Sequence, residues 1–241
     1  MALYVVIFYL PIYYRVRGVS TARAGTALIP MGVTLPLGSL IAGLVTSRTG
    51  RYKYSLRITL VLFLVGSVAT SMESLSTPLW LPMAYLVLLG LATGGMLVVT
   101  LVAFTSAVSI EEQSLVTSLS YVFRATGSVM GVAIGSAVYQ SVLESGLWRR
   151  LANIENAADI IQGIKDSLDE IDELPDYLQE AVRGSYMTAL RAAFSTTVCF
   201  AVIAVVSGLL VKEYKLHSTL TRDEGAVVVV KGEGEEVVED N

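Results

Sequence analysis

The sequence predicts an all-α, polytopic membrane helix bundle, and three observations carry the prediction. Of the 241 residues, 54% are hydrophobic and the mean hydropathy is +0.63. Only 16% are charged, against about a quarter in soluble domains. The apolar residues also fall in runs long enough to cross a hydrocarbon core, which takes about 20 helical residues. The same composition closes other routes. A single Cys, Cys199, excludes an internal disulfide, and a single His, His217, excludes a His-rich metal site. A net charge of −4 offers nothing to nucleic acid. The spans hold no His/carboxylate cluster or metal-spaced ligand set, and their many Ser and Thr lack a base. No enzyme, catalytic residue, metal or cofactor is therefore expected.

In chain order, the apolar run Met1–Tyr14 comes first. It is short for a full span, no charge precedes it, and Arg15 and Arg17 follow it. A signal peptide would show basic residues in front and a small-residue cleavage site behind. The expectation is the second half of a transmembrane helix whose beginning lies outside this chain. Five longer stretches follow, approximately Gly25–Thr46, Leu56–Met72, Leu79–Val108, Ser114–Leu143 and Tyr186–Val211. The six-helix unit is expected over residues 1–215, and the acidic remainder, 216–241, as a disordered cytosolic tail.

Between the last two spans, Glu144–Ser185 reads differently. Trp148, Leu151, Ile154, Ile161, Ile164, Leu168 and Ile171 recur at helical spacing, with Asp166, Asp169, Glu170, Asp172 and Glu173 opposite them. An amphipathic extracytosolic excursion is expected, either a linker helix packed on the rim or a substrate-gating lid. Pro175 is expected to break it and Gly184 to stop it before the final span.

Orientation follows from the loops. The turn after the second span, Ser47–Lys53, is short and strongly basic, whereas the loop around Met72–Pro78 has no Lys or Arg. Short basic loops stay in the cytosol, which assigns Arg48–Lys53 and the C-terminus there. Arg15, Arg17 and Arg23 argue the other way.

Inside the spans, Gly127, Gly131 and Gly135 stand four apart. They line one helical face and admit a close neighbour, either as ordinary packing or as a pliable seam between moving parts. Arg124 lies in the same span. A charge there costs at least ~2.5–3.5 kcal/mol on insertion scales, so it must face protein or water. It has no carboxylate partner within any span, because the only acid before Glu111 is Glu73, in a loop. Arg124 is open to a carbonyl cap, an anionic group, or an acid on another polypeptide segment. Thr93 and Thr100, beside Gly90, Gly94 and Gly95, either line a polar pocket or sit at tight crossings. Pro11, Pro30, Pro36, Pro78 and Pro82 fall within or at the ends of spans, where helices bend.

At the basic turn the sequence resembles a known family. Gly43, Arg48, Gly50, Arg51 and Lys53 match the loop motif Gly-x-x-x-Asp-Arg/Lys-x-Gly-Arg/Lys, followed by another basic residue, of the major facilitator superfamily, with Ser47 in place of its Asp. Tyr9-Leu10-Pro11-Ile12-Tyr13-Tyr14, with Arg17-Gly18-Val19-Ser20, looks like the seventh core helix and following loop of fungal fourteen-spanning drug:proton antiporters. The segment from Thr117 to Arg124, with Gly127 and Gly131, looks like their eleventh core helix. Within that group the turn is most similar to vacuolar basic amino acid permeases and their multidrug relatives.

The resemblance implies the six-helix C-terminal half of a major facilitator fold, in which the loop motif latches neighbouring helices. It further implies a multi-pass protein of the vacuolar or plasma membrane. Such a protein exchanges protons for a drug, amino acid or other small molecule. Proton coupling would then reside in the missing N-terminal half, and function would require a second transporter half or self-association. Tyr13, Thr93, Thr100 and Arg124 are the candidate pocket residues. The alternative is a membrane-embedded regulatory half-transporter that binds full-length relatives through the Gly127–Gly135 face.

Overall fold

The computed structural model describes residues 2–151, 161–164 and 175–211. The described residues are overwhelmingly helical, in the order α1 (Ala2–Val16), α2 (Thr21–Thr26), α3 (Ile29–Thr49), α4 (Tyr52–Ser71), α5 (Leu81–Thr105), α6 (Gln113–Leu151) and α7 (Asp176–Leu209). Five helical stretches are long and apolar enough to span a membrane, and α1 is a shorter apolar helix. Outward-facing Val33, Leu37, Leu40 and Ile41 of α3, and Ile58, Val61 and Val65 of α4, are all exposed. In water that surface would be an aggregation site; in a bilayer it is solvated by acyl chains. The protein is a multi-pass helical membrane bundle.

Local chemistry explains where the helices begin and end. Pro30 and Pro82 sit in the first turns of α3 and α5, where a missing N–H costs nothing. Gly50 ends α3 with a left-handed φ of 65° and donates its N–H to the Thr46 carbonyl at 3.0 Å. Pro175 stands just before α7. Pro11 and Pro36 lie inside α1 and α3, where each leaves one carbonyl without its helical donor.

Two differences from the sequence expectation concern the excursion. α6 continues through Glu144 to Leu151, and α7 begins at Asp176, so both flanks of 144–185 are extensions of membrane helices. At 39 residues, α6 is about 58 Å long at 1.5 Å per residue, well beyond a core of about 30 Å. Gly184, expected as a stop, lies within α7. A Cβ there would sit 2.6 Å from Arg150 Nη1, and that guanidinium donates to the Ala181 carbonyl at 3.0 Å. The glycine makes room for a crossing arginine, and the helix passes through it. Leu147, Leu151, Ile161, Ile164 and Val182 are buried together, and the Tyr186 hydroxyl donates to the Ile164 carbonyl at 2.8 Å. Ile154, Leu168, Ile171, the acidic face from Asp166 to Glu173 and the 216–241 tail lie outside the described residues.

The bundle has two packed regions. α3 packs chiefly on α5, and α4 bridges α5 to α7. α1 lies against α6 and α7. Tyr139 of α6 joins these three, 4.6 Å from the Tyr9 ring and 6.5 Å from the Tyr186 ring between centroids. Between α3 and α5 the backbones nearly touch: a Cβ on Gly94 would fall 1.9 Å from the Leu35 carbonyl oxygen, and one on Gly38 would fall 2.1 Å from that of Leu91. Ser39 Oγ donates to the Gly94 carbonyl across the seam at 3.0 Å. Lipid supplies no hydrophobic drive for helix association, so such close approach is what holds the pair together.

Candidate functional site

The densest long-range polar constellation lies at the α4–α5 loop, at the opposite end of α4 from the basic turn. Four side chains, two from α1, one just beyond its end and one from α7, grip the backbone of this loop. Tyr13 donates its hydroxyl to the Ser74 carbonyl at 3.0 Å, and Tyr14 donates to the Leu79 carbonyl at 2.9 Å. Arg17 donates to the Thr77 carbonyl and, at 3.0 Å, to the Tyr13 hydroxyl. Arg191, far along α7, donates its Nε to the carbonyl of Glu73 at 2.6 Å. Thr77 closes the loop on itself by accepting the Ser74 N–H at 2.9 Å.

The Glu73 side chain lies beneath this grip and is 1% exposed. Both carboxylate oxygens are buried without a hydrogen-bond partner. Arg17 is near enough for its charge to act on the carboxyl, but its Nη1 donates to Thr77 and Tyr13, and Arg191 Nε donates to the Glu73 main chain. An ionised carboxylate without donors is costly in a dry site, and a proton is the smallest remedy. Burial accordingly pushes the Glu73 carboxyl from an ordinary 4.5 up to about 8, against the opposing pull of Arg17. A group with that affinity takes up and releases a proton close to neutral pH.

The sequence places Glu73 in a loop, and the family resemblance puts proton coupling in the missing N-terminal half. Glu73 is indeed in the loop, but α1 and α7 bury it. The available signal was one acid in an otherwise uncharged loop, beside a run of Tyr13, Tyr14 and Arg17.

The other candidate residues occupy separate places. In the basic turn, Arg48 and Arg51 are exposed and Lys53 is half-buried. Gly50 supplies the left-handed reversal that lets α4 start two residues later, at Tyr52. Gly43 has room to spare, since a Cβ would meet only Val98 Cγ1 at 3.9 Å. Gly127, Gly131 and Gly135 are all buried on α6, and a Cβ at Gly135 would touch Val5 of α1 at 3.0 Å. Tyr13, Thr93, Thr100 and Arg124 bond separately. Tyr13 serves the loop; Thr100 donates to the Met96 carbonyl of its own helix; Thr93 Oγ1 is buried without a hydrogen-bond partner. Arg124 lies half-buried with its guanidinium carbon 5.2 Å from the centre of the Tyr121 ring, amid exposed Val122, Phe123 and Val129.

Fold and sequence together define a polytopic helical membrane protein. The comparisons with known proteins specify the class further. The chain is 30% identical over 223 residues to multidrug resistance protein fnx1 of Schizosaccharomyces pombe, covering 91% of the chain and 42% of that relative. It is 31% identical over 198 residues to vacuolar basic amino acid transporter 2 of Saccharomyces cerevisiae, covering 82% and 39%. It is 26% identical over 235 residues to MFS transporter L2 of a Phoma species, covering 92% and 38%. No protein-family model matches. The chain is thus a homologue of major facilitator transporters, and it spans about two fifths of the length of these relatives.

Proposed function

We infer that the chain acts as the C-terminal six-helix half of a secondary transporter, moving a small solute across a membrane in exchange for protons. The observation that carries this reading is the coverage: nearly all of the chain aligns, yet with only two fifths of each relative. A second feature agrees with it. Arg124 is partly open on the face of α6 that also exposes Tyr121, the ring its guanidinium lies over. A guanidinium on that face is costly against lipid and acceptable against a second helical half or a water-filled path. Six helices provide one wall of such a path, and a counterpart provides the other.

The substrate class follows from the same residue and the relatives' names. Arg124 repels a cation but suits a carboxylate, so an amino acid bound through its carboxylate end fits better than a simple cationic drug. A vacuolar membrane is the favoured location, since one relative is a vacuolar transporter of basic amino acids. Regulation by an inactive half-transporter is the lesser reading, because the relatives are named for transport.

Reconstitution tests this. Vesicles holding the 241-residue chain alone are expected to show no arginine uptake under an imposed proton gradient. Vesicles holding it fused behind the N-terminal half of a fungal relative are expected to accumulate arginine until the gradient is dissipated. Uptake by the monomeric chain alone overturns the half-transporter reading.

A further inference from the structure

Glu73 stands apart from any role in solute binding, and its surroundings are unusual enough to define a function of their own. It leaves α4 just beyond Met72, where the backbone turns into the loop, and its side chain points inward to full burial. The titratable and charged groups facing it are Tyr13 and Tyr14 from α1, Arg17 just beyond its end, and Arg191 from α7. The last turn of α4 and residues 74–80 bring no ionisable side chain. Each of these four residues donates to a main-chain carbonyl of the loop, and none donates to the Glu73 carboxyl. The arrangement therefore provides positive charge nearby and no hydrogen bond to the carboxyl.

We propose that Glu73 is a proton-binding site at the end of the bundle opposite the basic turn, and that its proton keeps Arg17 on the Thr77 carbonyl, holding the α4–α5 loop against α1. A carboxyl with no donor on either oxygen is the arrangement that suits the protonated state. Loss of the proton to water leaves the O–H bonding electrons on a carboxylate, with no other bond made or broken. That carboxylate outcompetes a neutral carbonyl for the Arg17 guanidinium, because hydrogen bonds between charged partners are about twice as strong. Arg17 then swings from Thr77 to Glu73, and the loop loses one of its anchors to α1. Burial, which holds the carboxyl near 8, puts the transition close to neutral pH. The proposal concerns proton binding by this chain alone and does not rest on the transport reading.

Infrared difference spectroscopy of the protein in lipid nanodiscs, titrated through neutral pH, reads the carboxyl directly. The expected result is a protonated-acid carbonyl band that disappears with a midpoint of about 8 and is absent from Glu73→Gln. Glu73→Asp, which keeps the carboxyl, is expected to retain a band at a shifted position, and serves if the glutamine variant does not fold. Amide protection factors over residues 74–80, which divide out the intrinsic rise of exchange with pH, are expected to fall about ten- to a hundredfold on deprotonation, the loss of one hydrogen bond from a charged donor. In Glu73→Gln these factors should stay high at every pH. A band that persists in Glu73→Gln, or a carboxyl that titrates in the ordinary range, overturns the proton site. Titration of Glu73 with no change in loop exchange overturns the Arg17 switch.

Discussion

Gly94→Ala is expected to unseat α3 from α5 and to cost about 3 kcal/mol or more, enough to remove most folded protein from a detergent extract. Alanine is the better helix former by about 1 kcal/mol, so any propensity effect points the other way. The loss comes from geometry. The new methyl carbon would lie 1.9 Å from the Leu35 carbonyl oxygen and 2.9 Å from the Ser39 nitrogen, both main-chain atoms that no rotamer change can move. Relief requires α3 to retreat, which breaks the bond from Ser39 Oγ to the Gly94 carbonyl and empties contacts along the whole seam. Gly38→Ala is the mirror of this change, since its methyl would meet the Leu91 backbone. Gly32→Ala is the control, because nothing lies within 4 Å of the added carbon. Thermal melts of the three variants in one detergent decide the matter. A Gly94→Ala protein that melts with the Gly32→Ala control would show that the seam is looser than described.

The second large effect belongs to pH and to Arg17. Glu73 titrates near 4.5 in an unfolded chain and about 8 in the folded one, so between those values only the folded state keeps the proton. Stability is therefore fully present below the lower value and falls as pH rises through the higher one. The loss is on the order of 5 kcal/mol at 1.36 kcal/mol per unit. Arg17→Ala removes the one positive charge that favours the carboxylate, which moves the Glu73 carboxyl still higher and deepens the alkaline loss. It also strips a charged donor from the Thr77 carbonyl and the Tyr13 hydroxyl, at roughly 1.5–3 kcal/mol per bond. Arg23→Ala, at an exposed site, is expected to stay within about 0.5 kcal/mol of wild type. Melting temperature against pH for the wild type and both variants gives the signs. A wild-type profile that is flat or rises over this interval contradicts the burial of Glu73 as a carboxyl without donors.

Much of the architecture was legible from neighbouring residues. Runs of apolar side chains as long as a bilayer is thick announce helices that lipid must surround, and the basic turn closed by Gly50 marks where one helix gives way to the next. Those features depend on residues within a few positions of one another, so hydropathy and spacing expose them. The lengths of α6 and α7 were harder to read. Their ends are polar outside the membrane layer, and hydropathy falls off where the helix does not. Gly184 misled for a related reason: a glycine looks alike as a helix stop and as a gap for a passing side chain, and only the position of Arg150 separates the two.

Composition and local order were thus sufficient to assign the membrane class, the helices and the resemblance to transporters. The proton site and the α3–α5 seam came from distance in sequence turned into proximity in space. Tyr13 is 61 residues from Ser74, and Arg191 is 118 from the Glu73 carbonyl it holds. An acid in a short loop is ordinarily solvated and ordinarily ionised; it becomes a proton binder when two remote helices exclude water from it and spend their donors elsewhere. Desolvation is a property of the packed bundle, and no local pattern encodes it.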